Sequence, residues 1–323
     1  MPPIDDALRD ALLQAAWQSL LLPMVAAAIV FLGFLFVPRG AFFGAVLAVI
    51  VGFAAANHFR DAVDPRILPI PDAADDAVKA ADPNLDPSQI AWAAATSLGG
   101  PSIGASTVKS RLWLPWCVML AGIAGTIGRL PWMPTTILRV AAALAATILL
   151  VAPAIQAEAS WLAPVFALVL VTEWELIDTI GRQEPGGVLP LSLAIAFGAA
   201  AVVVIHAHTV KYADAALILA ACCLGIALTA ALRRGDASGL APIAAVALPG
   251  LMLVVRSQTE SLIPVAGFAA IALAPLGLLP AALMGKCGSE RKWMRSLAIV
   301  AGPAAVAALG VTLAMMYESL PTE

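Results

Sequence analysis

The segment WLAPVFALVLVTEWELIDTIGRQ, residues 161–183, decides the fold class and also contains the most unusual residues of this chain. Its first eleven residues, 161–171, carry only apolar side chains. Glu173, Glu175 and Asp178 then stand where a membrane-spanning pattern calls for hydrocarbon. A spanning helix needs about 20 mostly apolar residues. Either a spanning helix contains three carboxylates, or the apolar span ends before them.

The composition of the whole chain favours a protein embedded in lipid. Hydrophobic residues make up 61% of the 323 positions and charged residues 12%. Soluble domains have about 45–50% apolar and about 25% charged residues, so this chain has too little polar surface to cover a water-soluble globule. The net charge of −3 and the pI near 5.6 provide no basic surface for nucleic acid. We therefore expect the lipid bilayer to be the main partner of this chain.

Apolar runs long enough to be helices recur along the sequence, and they predict an all-α, polytopic transmembrane helix bundle of about ten spanning helices. The ten segments lie near residues 15–37, 41–57, 111–129, 135–155, 160–181, 188–208, 213–232, 239–256, 261–284 and 295–316. The eighth to tenth contain prolines, and proline inside a helix removes a hydrogen bond and favours a kink. Several of these helices are therefore expected to be bent or broken.

One polar stretch divides the chain into three parts. Residues 1–57 form an N-terminal helical pair, and residues 111–323 form the main bundle of about eight helices. Between them, residues 58–110 are rich in proline and aspartate, which indicates an extramembrane segment. Its DPSQIAWAAATSL stretch predicts one short surface helix. The N-terminus is acidic and its apolar run is long, so no secretory signal peptide is predicted.

The distribution of basic residues predicts an orientation. Ten spans place both termini and residues 58–110 on one side of the membrane. The connections on the other side contain more lysine and arginine. Basic loops stay in the cytoplasm, so the termini and residues 58–110 are predicted to face outward. The alanine- and arginine-rich usage fits a high-GC bacterium, and hence a bacterial inner membrane.

Helical geometry separates the three carboxylates of the fifth segment. Glu175 and Asp178 are three residues apart and share a face. Glu173 lies about 160° from Glu175 at about 100° per residue. Glu173 is also about 13 Å from the end of the segment at Arg182. An ionised group at that depth costs at least about 2.5–3.5 kcal/mol. Glu173 should therefore face the bundle, have a partner or be protonated.

Arg139 is the predicted partner of the other two carboxylates. The fourth segment begins near Thr135 at the end where the fifth segment terminates, which puts Arg139 at a level similar to that of Asp178. Consecutive antiparallel helices usually pack together. We predict that Arg139 pairs with Asp178 or Glu175. This group, Glu173, Glu175, Asp178 and Arg139, is either a substrate or ion site or an ion pair that only fixes the helix register.

Other chemistry is weakly represented. The three histidines, His58, His206 and His208, are the only candidate metal ligands, but the i,i+2 spacing of the last two places their rings on different sides of a helix. The four cysteines form no CxxC motif. No catalytic motif is found, and neither a metal nor another cofactor is predicted.

Three functional hypotheses remain. The first is a small-molecule or ion transporter that uses the intramembrane carboxylates. The second is a structural or accessory subunit that binds a membrane-protein partner or a second copy of the chain. The third is a membrane-embedded enzyme with its site between the histidines and residues 58–110. A polar cavity at Glu173 would favour transport, and a solid bundle with an exposed apolar flank would favour the subunit.

Overall fold

The computed structural model describes residues 17–37, 40–61, 117–129, 135–154, 162–184, 186–207, 209–258, 263–286 and 292–318. Helices account for nearly all of these residues, and the described ranges contain no β-strand. This confirms the all-α prediction. The predicted short helix within 58–110 lies outside the described residues.

The helices follow the order of the apolar segments. They are α1 (Leu22–Phe34, after a π-helical turn at Trp17–Leu21), α2 (Ala41–Asp61), α3 (Cys117–Ile127), α4 (Thr135–Ala154), α5 (Leu162–Gln183), α6 (Val188–His206), α7 (Val210–Arg233), α8 (Leu240–Gln258), α9 (Val265–Ala272), α10 (Leu279–Lys286) and α11 (Lys292–Glu318). A 3₁₀-helix at Ala274–Leu278 connects α9 to α10. Each of the ten predicted segments therefore contains a helix.

The number of membrane spans is not confirmed at ten. Among the described residues, four helices are long and apolar enough to cross a membrane: α6, α7, α8 and α11. A fifth span results if the bent pair of α9 and α10 crosses as one unit. The apolar parts of α1 to α4 are shorter, at 10–17 residues. In α5, the three carboxylates interrupt the apolar pattern.

Proline has different effects in the eighth, ninth and tenth segments. α9 and the chain after it meet at an angle of 49°, and Pro275 lies in the 3₁₀-helix at that break. Pro249 and Pro303 instead lie inside the continuous helices α8 and α11. The prediction of a broken helix is confirmed for the ninth segment. In the other two segments the helix continues through its proline.

The bundle is organised around α8, which its neighbours bury along most of its length. Helix α8 contacts α5, α9, α4 and α6. On one flank, α6 packs between α7 and α11, and α7 also packs against α1. On the other flank, α5 packs between α4 and α8. Helix α5 thus packs against neighbours on two sides and is exposed on the remaining face.

Small residues allow the closest helix crossings. At the crossing of α11 with the 3₁₀-helix, a Cβ atom added to Gly302 would lie 2.0 Å from the carbonyl oxygen of Gly277. A Cβ added to Gly310 would lie 2.8 Å from the carbonyl oxygen of Gly267 in α9. Membrane helices use such residues because association depends on close packing. α11 is therefore held against the broken segment by backbone contact.

Candidate functional site

Helix α5 has a broad buried surface, with Glu173 on one part of it and Asp178 on another, whereas Glu175 is exposed. One face is the i, i+3, i+7, i+10 stripe of Leu170, Glu173, Ile177 and Ile180, each with 0% of its surface exposed. The other contains Trp174 and Asp178, which are 2% and 3% exposed. Both faces are buried because α5 contacts α4 and α8 as well as the 3₁₀-helix and α10. The helix therefore contacts protein on two sides.

Asp178 is the centre of an ion-pair cluster. Its carboxylate accepts hydrogen bonds from the guanidinium groups of Arg129, Arg139 and Arg182. The Arg129 Nη2 to Asp178 Oδ1 distance is 2.8 Å, and Arg182 Nε lies 3.2 Å from the same oxygen. Asp178 lies near the C-terminal end of α5, where the helix dipole disfavours a negative charge. The three arginines offset both that effect and the cost of burial.

Arg139 links α4 to two carboxylates of α5. It donates to Glu175 and to Asp178, so the predicted pairing is confirmed for both residues. The side chains of Arg139 and Asp178 are 9% and 4% exposed, whereas that of Glu175 is 64% exposed. The pair with Asp178 is therefore the buried one. An exposed pair contributes about 0–1 kcal/mol to stability. The bond of Arg139 to Asp178 is therefore expected to contribute more than its bond to Glu175.

Arg129 connects the cluster to the beginning of α8. It follows α3 and donates to the hydroxyl oxygen of Ser238, just before α8. Its guanidinium carbon lies 4.3 Å from the centre of the Phe42 ring, a cation–π contact with α2. The backbone N–H of Ser238 donates to Asp236 at 2.8 Å. With Asp236 and Glu175 included, three carboxylates balance the formal charge of three arginines.

A second polar contact lies at the same end of α5. Arg295 of α11 pairs with Glu184, with Nη1 and Oε1 2.9 Å apart, and donates to the side-chain oxygen of Gln183. A Cβ added to Gly285, at the end of α10, would lie 2.9 Å from that same oxygen. The ends of α5 and α10 are therefore adjacent. Ion pairs join α5 at this end to α3, α4 and α11.

Glu173 differs from the other two carboxylates of α5. It is fully buried, and neither of its carboxyl oxygens has a hydrogen-bond partner among the described residues. Burial of an unpaired carboxylate costs several kcal/mol, so a site of this kind favours the neutral acid. Glu173 was predicted to face the bundle, to have a partner or to be protonated. It does face the bundle, and no hydrogen-bond partner is observed among the described residues.

Glu173 lies at the level of the break between α9 and α10. The ends of α5 and α10 are adjacent, and Glu173 is ten residues before Gln183, or about 15 Å at 1.5 Å per residue. The 3₁₀-helix Ala274–Leu278 is 7–11 residues before Gly285, which places it about 10–16 Å from the same end. The 3₁₀-helix also contacts α5 directly. A buried carboxyl and an interrupted helix thus occur at one depth.

The histidines and cysteines form no site in the part of the chain that the structure describes. His206 ends α6, and the His58 and His208 side chains lie outside the described residues. No group of three His, Cys, Asp or Glu side chains with metal-binding geometry occurs among the residues described. Cys117, Cys222 and Cys223 are buried and free. The predicted enzyme site between the histidines and 58–110 therefore remains a prediction.

The structure adds three residues that sequence reasoning did not assign to the site: Arg129, Arg182 and Ser238. Arg182 is four residues after Asp178, a spacing that predicts contact on a helix. Arg129 ends the third apolar segment and so lies at the same end of the bundle as Arg182, but no spacing in the sequence links it to Asp178. Ser238 has no signal in the sequence, because its role depends on the turn between α7 and α8.

Comparison with known proteins adds no further information. No protein-family model matches this sequence, and no curated protein and no solved structure is significantly similar to it. The class of protein is therefore defined by the structure alone. Its described residues form a helical bundle, with four to five helices among them able to cross a membrane and a charged cluster inside the bundle.

Replacement of Arg129 tests how specific the cluster is. We expect Arg129→Lys to lower the stability of the folded protein by about 1–2 kcal/mol, because lysine keeps the charge but loses the planar fork that contacts Asp178 and Ser238. Arg182→Lys is the matched control, since Arg182 is 46% exposed and its pair is within one helix. The measurement is the apparent melting temperature of the purified proteins. Equal melting temperatures for the two variants would contradict the assigned role of Arg129.

Proposed function

We propose that this protein is a small-molecule or ion carrier of the membrane, and that Glu173 is its proton- or cation-binding residue. The observation on which the proposal depends is a fully buried carboxyl group without a hydrogen-bond partner among the described residues. Ionisable groups inside membrane bundles are costly and commonly mark ion or proton pathways. If this residue served only for packing, leucine or isoleucine would fill the same space without the cost of burying a carboxyl group.

The broken helix beside Glu173 supports the same proposal. Carriers often bind substrates and coupling ions near the middle of the bilayer, where interrupted helices leave backbone groups without partners in their own helix. Here the 3₁₀-helix between α9 and α10 contacts α5 and lies at the depth of Glu173. A carboxyl group and the backbone carbonyls of an interrupted helix are the kinds of oxygen atom that a proton or a hard cation binds.

The Asp178 cluster has a different role in this proposal. Its charges are neutralised within the protein, and it joins α3, α4 and α5 to the beginning of α8 at one end of the bundle. The second contact, between Arg295 and Glu184, adds α11 at that end. We assign these ion pairs to closure of the bundle at that end, about 7 Å from Glu173 along α5.

Cysteine accessibility tests whether water reaches Glu173. In a cysteine-free variant, single cysteines are placed at 173, 175 and 178, and a membrane-impermeant thiol reagent is applied from each side. Under the carrier proposal, a cysteine at 173 reacts from at least one side in reconstituted vesicles. Leu170→Cys is the matched control on the same buried face, and Arg234→Cys in the exposed turn after α7 reports that the reagent is active.

Each result has a clear meaning. Reaction at 173 that exceeds reaction at 170 supports a water-filled path at Glu173. If position 173 does not react from either side while 234 does, Glu173 is a packing residue and the carrier proposal fails. Transport by the Glu173→Gln variant is a second, separate measurement. If the charge of Glu173 is required, this variant should not transport, or its transport should no longer depend on pH.

The second candidate is a non-transporting subunit of a membrane assembly. It is supported by the outer surface of α11, most of which is not covered by other described helices. Trp293, Leu297, Leu309 and Met316 are each more than half exposed on this helix. In that case, cross-linking in native membranes would join α11 to another protein, and position 173 would remain unreactive.

A further inference from the structure

An apolar cavity of about 360 Å³ lies away from α5, between α2, α3, α7 and α8. It is lined by Phe53 of α2, Met119 of α3, Leu219 of α7 and Ala247 of α8, with other aliphatic residues of these helices. None of the α5 carboxylates lines it. Ligand pockets range from about 300 to 1,000 Å³ and are mostly apolar with few polar groups. The cavity therefore has the size and character of a ligand site.

The cavity is elongated. Its α8 wall runs from Ile243 to Leu251, eight residues or about 12 Å of helix. Its α7 wall runs from Tyr212 to Leu219, about 10 Å. An engineered apolar cavity of about 150 Å³ is sufficient for benzene. A void that is more than twice as large and this long fits an extended hydrocarbon chain better than a compact ring.

One side of the cavity is open and the other is closed. Met119 is 39% exposed and Ala54 is also exposed, so the opening lies between α2 and α3. On the opposite wall, Ala247 and Leu251 are each 1% exposed. The opening is thus on the flank of the bundle, where the bilayer hydrocarbon would lie. An apolar ligand can enter there without passing through water.

Tyr212 is the one residue with a side-chain hydroxyl among those that line the cavity, and it lies at the beginning of α7. Tyrosine with an apolar ring and a polar tip is typical of a membrane interface. The opposite end is formed by Gly122 and Ile243 and has no polar side chain. The cavity therefore has one apolar end and one end suited to a small polar group.

We propose that this cavity binds a single-chain amphiphile, with the chemistry of a long-chain fatty acid. The hydrocarbon chain enters between α2 and α3 and fills the space along α8, and the head group lies at Tyr212. An unfilled apolar void loses dispersion contacts on all its walls, so occupancy is favourable. This proposal does not depend on the function proposed for Glu173.

The test uses photolabelling of the full-length protein in phosphatidylcholine vesicles. One arm contains a long-chain fatty acid with a diazirine in its chain, and the other contains phosphatidylcholine with the same diazirine chain. Labelled peptides are mapped by mass spectrometry. The proposal predicts that the fatty acid labels residues 119–122 and 247–251 more strongly than it labels α11.

A variant that fills the opening tests whether labelling depends on entry into the cavity. Ala54→Trp adds an indole at the mouth, on an exposed residue where the fold is not at risk. It is expected to lower fatty-acid labelling of the cavity by about tenfold, equivalent to about 1.4 kcal/mol of binding free energy. Ala308→Trp adds the same side chain to the exposed face of α11 and should leave cavity labelling unchanged.

The proposal is overturned if Ala54→Trp leaves the labelling of these peptides unchanged. It is also overturned if the phosphatidylcholine probe labels them as strongly as the fatty acid, because the cavity would then hold chains of the surrounding bilayer without selection. Equal labelling of α11 and of the cavity by the fatty acid has the same consequence.

Discussion

Asp178→Asn is expected to lower the stability of the folded protein by about 3–5 kcal/mol, the cost of removing one partner from a buried ion pair. The side chain of Asp178 is 4% exposed, and three arginines converge on it. Asparagine has nearly the same shape but no charge. Three guanidinium groups would then repel one another around a neutral side chain, two of them partly buried.

Glu175→Gln is the matched control for this prediction. Glu175 is on the same helix and pairs with the same Arg139, but its side chain is 64% exposed. We expect a change below about 1 kcal/mol. The measurement is the melting temperature and the yield of monodisperse protein after purification in detergent. If Asp178→Asn and Glu175→Gln lose similar amounts of stability, burial does not determine how much each ion pair of the cluster contributes.

A double variant separates charge balance from general damage. In the Asp178→Asn background, Arg139→Ala removes one of the three positive charges that have lost their common partner. Part of the lost stability should return, because neighbouring residues in one ion-pair network are coupled. If the double variant is less stable than Asp178→Asn by the full effect of Arg139→Ala alone, the two residues do not interact in the folded protein.

Gly302→Ala is expected to have the second large effect. Its Cβ would lie 2.0 Å from the carbonyl oxygen of Gly277, a distance at which backbone must move. Overpacking usually costs about 1–3 kcal/mol and occasionally more, and we expect at least the upper part of this range. The backbone of α11 or of the 3₁₀-helix must shift, since no flexible side chain is available to yield.

Gly198→Ala is the control for the glycine substitution. A Cβ at Gly198, in the middle of α6, meets no atom within 4 Å. Alanine is favoured over glycine in a helix interior by up to about 1 kcal/mol, so this variant should be neutral or slightly more stable. The apparent melting temperatures of the two variants and the original protein provide the comparison. An unchanged melting temperature for Gly302→Ala would mean that α11 does not pack this closely against the broken segment.

The two substitutions probe different parts of the bundle. Asp178 joins α5 to α3, α4 and the beginning of α8 through charge, whereas Gly302 joins α11 to the 3₁₀-helix through backbone contact. Because the two sites share no contact, their effects should add within about 0.5 kcal/mol. The carrier proposal requires both connections, since Glu173 lies between them.

The sequence by itself determined that the described part of the chain is helical and where its helices lie. Its apolar runs located α1 to α11, because helix formation in an apolar environment depends on local hydrogen bonding. The 3.6-residue repeat also placed Glu173 on a different face of α5 from Glu175 and Asp178. The short connection between α4 and α5 was enough to predict the contacts of Arg139, since antiparallel neighbours bring residues of similar level together.

Tertiary structure alone decided the rest. The association of Arg129 and Ser238 with Asp178 depends on how α3 and α8 pack against α5, and no spacing in the sequence encodes a contact across 49 or 109 residues. Prolines in the eighth, ninth and tenth segments were equally visible, yet only the ninth segment is broken, with Pro275 at the break. Neighbouring helices determine whether a proline-containing helix continues, because they can satisfy the carbonyl that proline leaves free. The cavity beside Tyr212 likewise exists only because four helices from separate parts of the chain leave space between them.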